Sequence, residues 1–274
     1  NLATKLPISS DPCGKIIYGS PVVRTQHMAI GKVDYQINAN HSIFGRYLAD
    51  SLKETPPYVL NHNLFSGNQN GGDGLNQAFT LGDTYLFGPN VVNAIRLIAN
   101  RSALRKTIGE TFNFADLGVK MYTYTPKQFK VLINGSLPQA GNYGPTNTAI
   151  FALSDDLSIV RGNHQLSVGG MSGRWESNAY SFFYSAGIAN FNGSITGLGM
   201  GDFLTGNLFN WTQAPPETHL GYQWYLGTYA NDTWKATSKL TLTYGVRWEP
   251  WFPQHFTDGG VYHLDLDQVR RGVK

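Results

Sequence analysis

The stretch Trp224 to Trp251, WYLGTYANDTWKATSKLTLTYGVRWEPW, decides how the chain is read. In its second half Leu240, Leu242, Tyr244, Val246 and Trp248 alternate with Thr241, Thr243, Gly245, Arg247 and Glu249. A period of two over ten residues is a β-strand with one apolar and one polar face. A strand of that length, tilted at about 45°, also spans the hydrocarbon of a bilayer. The first half, Trp224 to Trp234, is expected to pair back across a turn at Lys235 to Lys239. Trp234 then lies opposite Leu240, Tyr225 opposite Glu249, Gly227 opposite Arg247, and Tyr229 over Gly245. Asp232 is the misfit: it falls on the apolar face opposite Leu242, near the turn, where a charge at headgroup level costs only about 0–1 kcal/mol.

Three more hairpins repeat this grammar. Lys32 to Ile37 and Ser42 to Ala49 flank Asn38-Ala39-Asn40-His41, and Ala78 to Phe87 and Val91 to Arg101 flank Gly88-Pro89-Asn90. Thr148 to Val160 and Gln165 to Trp175 flank Arg161-Gly162-Asn163-His164, with Asp155 interrupting the apolar set Phe151, Leu153, Leu157 and Ile159. Ser51 to Gln77, Ser102 to Asn147 and Glu176 to Tyr222 are long glycine- and proline-bearing segments between them, the last with room for one helical turn in GLGMGDFLTG. Short turns at one end and long loops at the other are the asymmetry of outer-membrane barrels, with the short turns periplasmic. The expected fold is therefore all-β: part of an antiparallel transmembrane β-barrel, about eight strands in four hairpins with long extracellular loops. Residues 1–274 are expected to be a fragment of a single barrel domain in a bacterial outer membrane.

Composition agrees. Only 14% of the 274 residues are charged, against roughly a quarter in ordinary soluble domains, while aromatics reach 13% and glycines number 31. No run of about 18 apolar residues exists to form a membrane helix. A net charge of +3 is too mild for a nucleic-acid partner, and the single Cys13 rules out an internal disulfide or a thiolate metal cluster.

The segments YANDTWKATSKLTLTYGVRWEPWFP (229–253), FALSDDLSIVRGNHQLSVGG (151–170), VDYQINANHSIFGRY (33–47) and LGDTYLFGPNVVNAIRL (81–97) resemble the barrel of Oar-like TonB-dependent receptors. Together they touch all four hairpins, in the order of that family. The resemblance implies a plugged barrel of about 22 strands, of which this chain supplies a part. It also implies partners: a plug, the rest of the barrel, the TonB complex reached through upstream segments, outer-membrane lipid and an unidentified extracellular substrate.

No serine elbow, zincin or phosphate-binding loop occurs, so neither a catalytic residue nor a cofactor or metal site is assigned, and the chain is not expected to be an enzyme. His41 and His164 each follow an Asn, which favours turn hydrogen bonding over metal ligation. Adjacent Asp155 and Asp156 point to opposite faces and cannot act as an acid–base pair; one is expected in the lumen, the other near the periplasmic interface. Arg46, Arg96, Tyr229, Arg247 and Glu249 are candidates for the lumen wall, either as a substrate path or as a salt-bridge network. Trp224, Trp234, Tyr244, Trp248 and Trp251 are candidates for the aromatic girdles. The loop aromatics Tyr122, Tyr124, Phe183 and Trp211 could contact an extracellular ligand or pack the loops together. Transport is the leading expectation; surface adhesion without uptake, and a soluble glycan-binding β-protein, are the other two.

Overall fold

The computed structural model describes residues 7–12, 15–67, 69–134, 144–257 and 265–272, so Cys13 lies outside the described residues. The strands are β1 (Val23–Asn38), β2 (His41–Thr55), β3 (Gly71–Leu86), β4 (Val91–Thr107), β5 (Lys130–Ile133), β6 (Gly144–Arg161), β7 (His164–Ser181), β8 (Ile188–Phe191), β9 (Asn210–Thr212), β10 (Glu217–Lys235), β11 (Thr241–Trp248) and β12 (His255–Phe256). Three short helices are α1 (Pro57–Asn61), α2 (Gly199–Thr205) and α3 (Leu266–Arg270). None is long and apolar enough to cross a membrane.

Eight strands form one antiparallel meander in the order β1-β2-β3-β4-β6-β7-β10-β11, and β12 adds to β10. Among the described residues β1 and β11 do not pair, so the sheet stays open. The turn positions follow the sequence reading, but most strands outrun it. β3 takes in the glycine-rich Gly71 to Gln77, expected as loop, and β1 starts at Val23 and β10 at Glu217. Beyond the membrane both faces of a strand meet water, so alternation fades while the hydrogen-bond ladder continues.

Alternate residues keep one face apolar from edge to edge. Val33, Leu81, Leu97, Leu153, Val168 and Val246 lie on it, and Val246 is 70% exposed. A sheet whose apolar side is bare is stable only if that side meets lipid.

The ladder also fixes the tilt. His41 and His164 are the first residues after short turns, yet following the pairs His41–Tyr85–Asn93–Leu157–Val168 arrives four residues beyond His164. With the short turns level, four residues of ~3.3 Å over four strand steps of ~4.8 Å give a tilt of roughly 35°. That is the stagger of a closed membrane barrel.

The register of the deciding hairpin differs from expectation by two residues. Trp234 pairs with Leu242, Thr228 with Trp248 and Tyr229 with Arg247, around a turn at residues 236–240. Asp232 thereby faces Tyr244 instead of Leu242, and the tyrosine hydroxyl donates to its carboxylate at 2.9 Å. Tyr229 does not cover Gly245; it lies against Gly169 of β7, its direct partner, where a Cβ would come within 2.8 Å of the ring.

Buried apolar residues sit outside the sheet. Leu64, Phe114, Phe129, Val131, Ile133, Ala189 and Phe191 form a core from the three long loops. Within it β5 and β8 pair in parallel, β9 adds antiparallel to β8, and α2 packs alongside. The long loops thus fold into one cap over the long-loop end of the sheet.

Candidate functional site: polar face and loop cap

Arg46, Arg96, Asp156, Tyr229 and Arg247 all fall on the face opposite the apolar one, and Glu249 follows directly after β11. Arg96 Nη1 donates to Asp156 Oδ2 at 2.9 Å, and Tyr229 donates its hydroxyl proton to Asp156 Oδ1 at 2.6 Å. Arg247, directly opposite Tyr229, donates through Nε to Glu249 and through Nη2 to Tyr225 Oη at 2.8 Å; Tyr225 Oη in turn reaches Glu249 Oε1 at 2.7 Å. A charged network therefore runs across β4, β6, β10 and β11. Asp156 and Tyr225 are its hubs: the sequence set Tyr225 opposite Glu249 and one of Asp155 and Asp156 in the lumen, and period-two parity with Arg96 is the signal that picks Asp156. Arg46 stands apart, paired in register with Lys32 and Thr80.

Asp155 points to the apolar face, where Asn93 Nδ2 donates to it at 2.5 Å. It lies six residues from Arg161, further from the short turn than expected.

On that same apolar face the two histidines depart from the expected turn hydrogen bonding. His41 Nε2 pairs with Asp83 Oδ2 at 2.5 Å, and His164 Nδ1 with Asp232 Oδ2 at 2.7 Å. In both cases the histidine opens a strand, the carboxylate belongs to the next hairpin, and an aromatic lies directly across: Tyr85 edge-on to His41, Trp234 stacked on His164 at 5.6 Å. Asp232, the misfit of the sequence, is only 6% exposed and anchors this clasp.

Of the girdle aromatics, Trp234 sits at the short-turn end and Trp224 ten residues above it on the same face. Tyr244 and Trp248 share that face on β11, and Trp251 follows it, 87% exposed.

The four loop aromatics separate. Trp211 packs edge-on against Phe114 at 5.0 Å and presses on Gly187, whose φ of 76° and lack of a Cβ admit the indole. Phe183 lies under Lys130, whose Nζ is 4.0 Å from the ring centroid and donates to the Phe183 carbonyl at 2.7 Å. Tyr122 and Tyr124 remain outside as an edge-on pair, 70% and 44% exposed, with the Tyr122 carbonyl held by Gln213 Nε2.

The cap also buries charge. Lys130 is fully buried, and desolvation lowers its ammonium to about 8. Burial alone would raise the Asp202 carboxyl. Hydrogen bonds from the Thr196 hydroxyl and from the amides of Thr196, Ile195 and Gly193 outweigh it and hold the group below its ordinary value.

A family model described as an outer membrane beta barrel domain matches residues 3–273, and the chain belongs to that family. Among solved structures it is similar to a protein titled copper transporter OprC, with a TM-score of 0.51 and 11% identity over 84% of this chain. At that identity the likeness is one of fold, and this chain spans 29% of the length of that one. No curated relative matches. Family membership places the protein in the bacterial outer membrane, as part of a β-barrel.

Proposed function

We propose that the chain forms part of the wall and extracellular loops of an Oar-like TonB-dependent receptor that takes up a large or scarce solute through a gated lumen. The observation that carries this reading is the charged network Arg96–Asp156–Tyr229 beside Arg247–Tyr225–Glu249 on one face of a sheet whose other face is apolar. A polar wall of that kind lines water or a plug, and with Arg46 it forms the lumen side. Of the four loop aromatics singled out, Tyr122 and Tyr124 are exposed to meet a ligand, while Phe183 and Trp211 hold the cap together. The plug and the TonB complex are partners through segments outside this chain. No residue here is assigned a catalytic role, and no nucleic-acid partner is proposed. The name of the compared transporter mentions copper; among the described residues here no group of three or more His, Cys, Asp or Glu side chains could hold a metal ion, and no metal substrate is assigned.

The test is binding of the intact parent protein to the periplasmic domain of TonB. Saturable binding that disappears when the parent's coupling segment is deleted supports the reading. A correctly folded parent that never binds TonB points instead to the surface-adhesion alternative.

A further inference from the structure

We infer that the polar face carries, at the long-loop end of β2 to β7, a groove for an uncharged oligosaccharide. Its hydroxyls are met by Asp50, Asn76, Asn100, Ser102 and Thr148, and its rings lie against Ile150 and Trp175. The site rests on the lumen facing proposed above and names the class of solute that this wall fits.

The register lays two stripes side by side on that face. In one, Asp50, Asn76, Ser102, Thr148 and Ser177 are paired directly, strand after strand, from β2 to β7. In the other, two residues nearer the short turns, Leu48, Ala78, Asn100, Ile150 and Trp175 are paired in the same way. Side chains alternate along a strand, so both stripes share the face of Arg46, Arg96 and Asp156. Four strand steps of ~4.8 Å make each stripe about 19 Å long, enough for several linked rings. A hollow of about 230 Å³ lies where they meet, floored by Leu48, Ala78 and Ile150 and rimmed by Asn76, Asn100, Ser102 and Thr148.

Depth puts the groove on the path of an incoming solute. Asn100 is nine residues beyond Val91, the first residue of β4. Nine residues of ~3.3 Å tilted by roughly 35° rise about 24 Å, the outer limit of the apolar band of a membrane barrel.

The side chains select the class. Ser102 Oγ donates to Asn76 Oδ1 at 2.6 Å, and Gln26 Nε2 donates to Asp50 Oδ1 at 2.8 Å, which leaves the Asn76 amide hydrogens and Asp50 Oδ2 for a ligand. These groups are within reach, since Asn76 is exposed and Asp50, Asn100, Ser102 and Thr148 are half-buried. Amides, hydroxyls and a carboxylate together donate and accept as sugar hydroxyls do, and the face of an indole attracts the C–H groups of a sugar ring. A charged solute finds no match, because Asp50 is the one ionisable side chain in the two stripes and already holds Gln26. An extended peptide adds to a free strand edge, and every strand from β2 to β7 in this sheet is paired on both sides.

The intact parent in detergent is titrated calorimetrically with maltohexaose, with cellohexaose, with glucose and with a neutral hexapeptide of serine and glycine. One of the hexasaccharides should bind at least tenfold more tightly than glucose, and the peptide should not displace it. Asn76→Ala combined with Asn100→Ala should weaken that binding roughly tenfold, the scale of one or two neutral hydrogen bonds. Asn147→Ala, beside Thr148 but on the apolar face, should leave it unchanged. Binding of neither hexasaccharide, equal affinity for hexamer and glucose, preference for the peptide, or a folded double variant that binds as the wild type does overturns the site. If the double variant fails to fold, Ala78→Trp, which fills the hollow, decides: lost binding supports the site, unchanged binding overturns it. A parent that binds a hexasaccharide and never binds TonB keeps this site and loses the TonB-coupled reading; one that binds TonB and neither hexasaccharide does the reverse.

Discussion

Asp232 shows how much one residue can hide. Read from sequence, it is a charge on an apolar strand face; in the structure it is the shared acceptor of His164 and Tyr244, tying β7, β10 and β11 together at the short-turn end. The same device joins β2 to β3 through His41 and Asp83. Its signature was present in the chain as Asn-His at 40–41 and 163–164, each answered by Asp-Thr-Tyr or Asp-Thr-Trp at 83–85 and 232–234. Because these partners are more than 40 residues apart, local turn chemistry could not reveal them. His164→Ala should lower the temperature at which the folded parent loses its compact gel mobility, whereas His62→Ala, in the cap, should leave it unchanged. Val246→Arg places a cation about mid-membrane and should cost about 2–4 kcal/mol of barrel stability. Thr243→Arg, on the polar face of the same strand, should cost far less. Similar losses in urea titrations of the two would reverse the facing of β11.

At the scale of elements, the paired strands were legible because period two survives any even slip of register. That same property explains the two-residue error at Trp234: alternation gives the face and is blind to the offset. The cap was not legible. β5, KVLI, and β8, IANF, are too short to show a period, and their parallel pairing joins loops 58 residues apart. Lys130, inside this cap, makes it sensitive to alkaline pH. Unfolded, the amine titrates at 10.5, and folded at about 8. Between those values the unfolded chain keeps a proton that the folded cap has released, so cap stability rises as pH increases from about 8 to 10.5. Asp202 acts at the other end of the scale: its depressed carboxyl contributes stability above 3.8 that is lost as pH falls through the lower folded value. Near-ultraviolet melting of the detergent-solubilised parent should show the alkaline rise, and Lys130→Met should abolish it. A cap that melts earlier at pH 10 than at pH 8 would contradict this sign.

For the whole molecule, the balance of burial is inverted relative to a water-soluble fold: the dry core belongs to the loops and the exposed apolar area to the strands. Among the described residues β1 and β11 are unpaired edges, and an open sheet of that kind invites edge pairing between chains. Residues 1–274 produced alone should therefore aggregate in water and enter detergent only as polydisperse species on size exclusion; a sharp monomer without detergent would contradict the facing of the sheet. The parallel pair β5–β8 also has a consequence for inheritance. Because segments from two separate long loops complete one small sheet, neither can be exchanged with a relative's loop by itself. Specificity at the mouth of such a barrel would have to be traded as a matched set, so chimaeras should function only when both insertions come from the same donor.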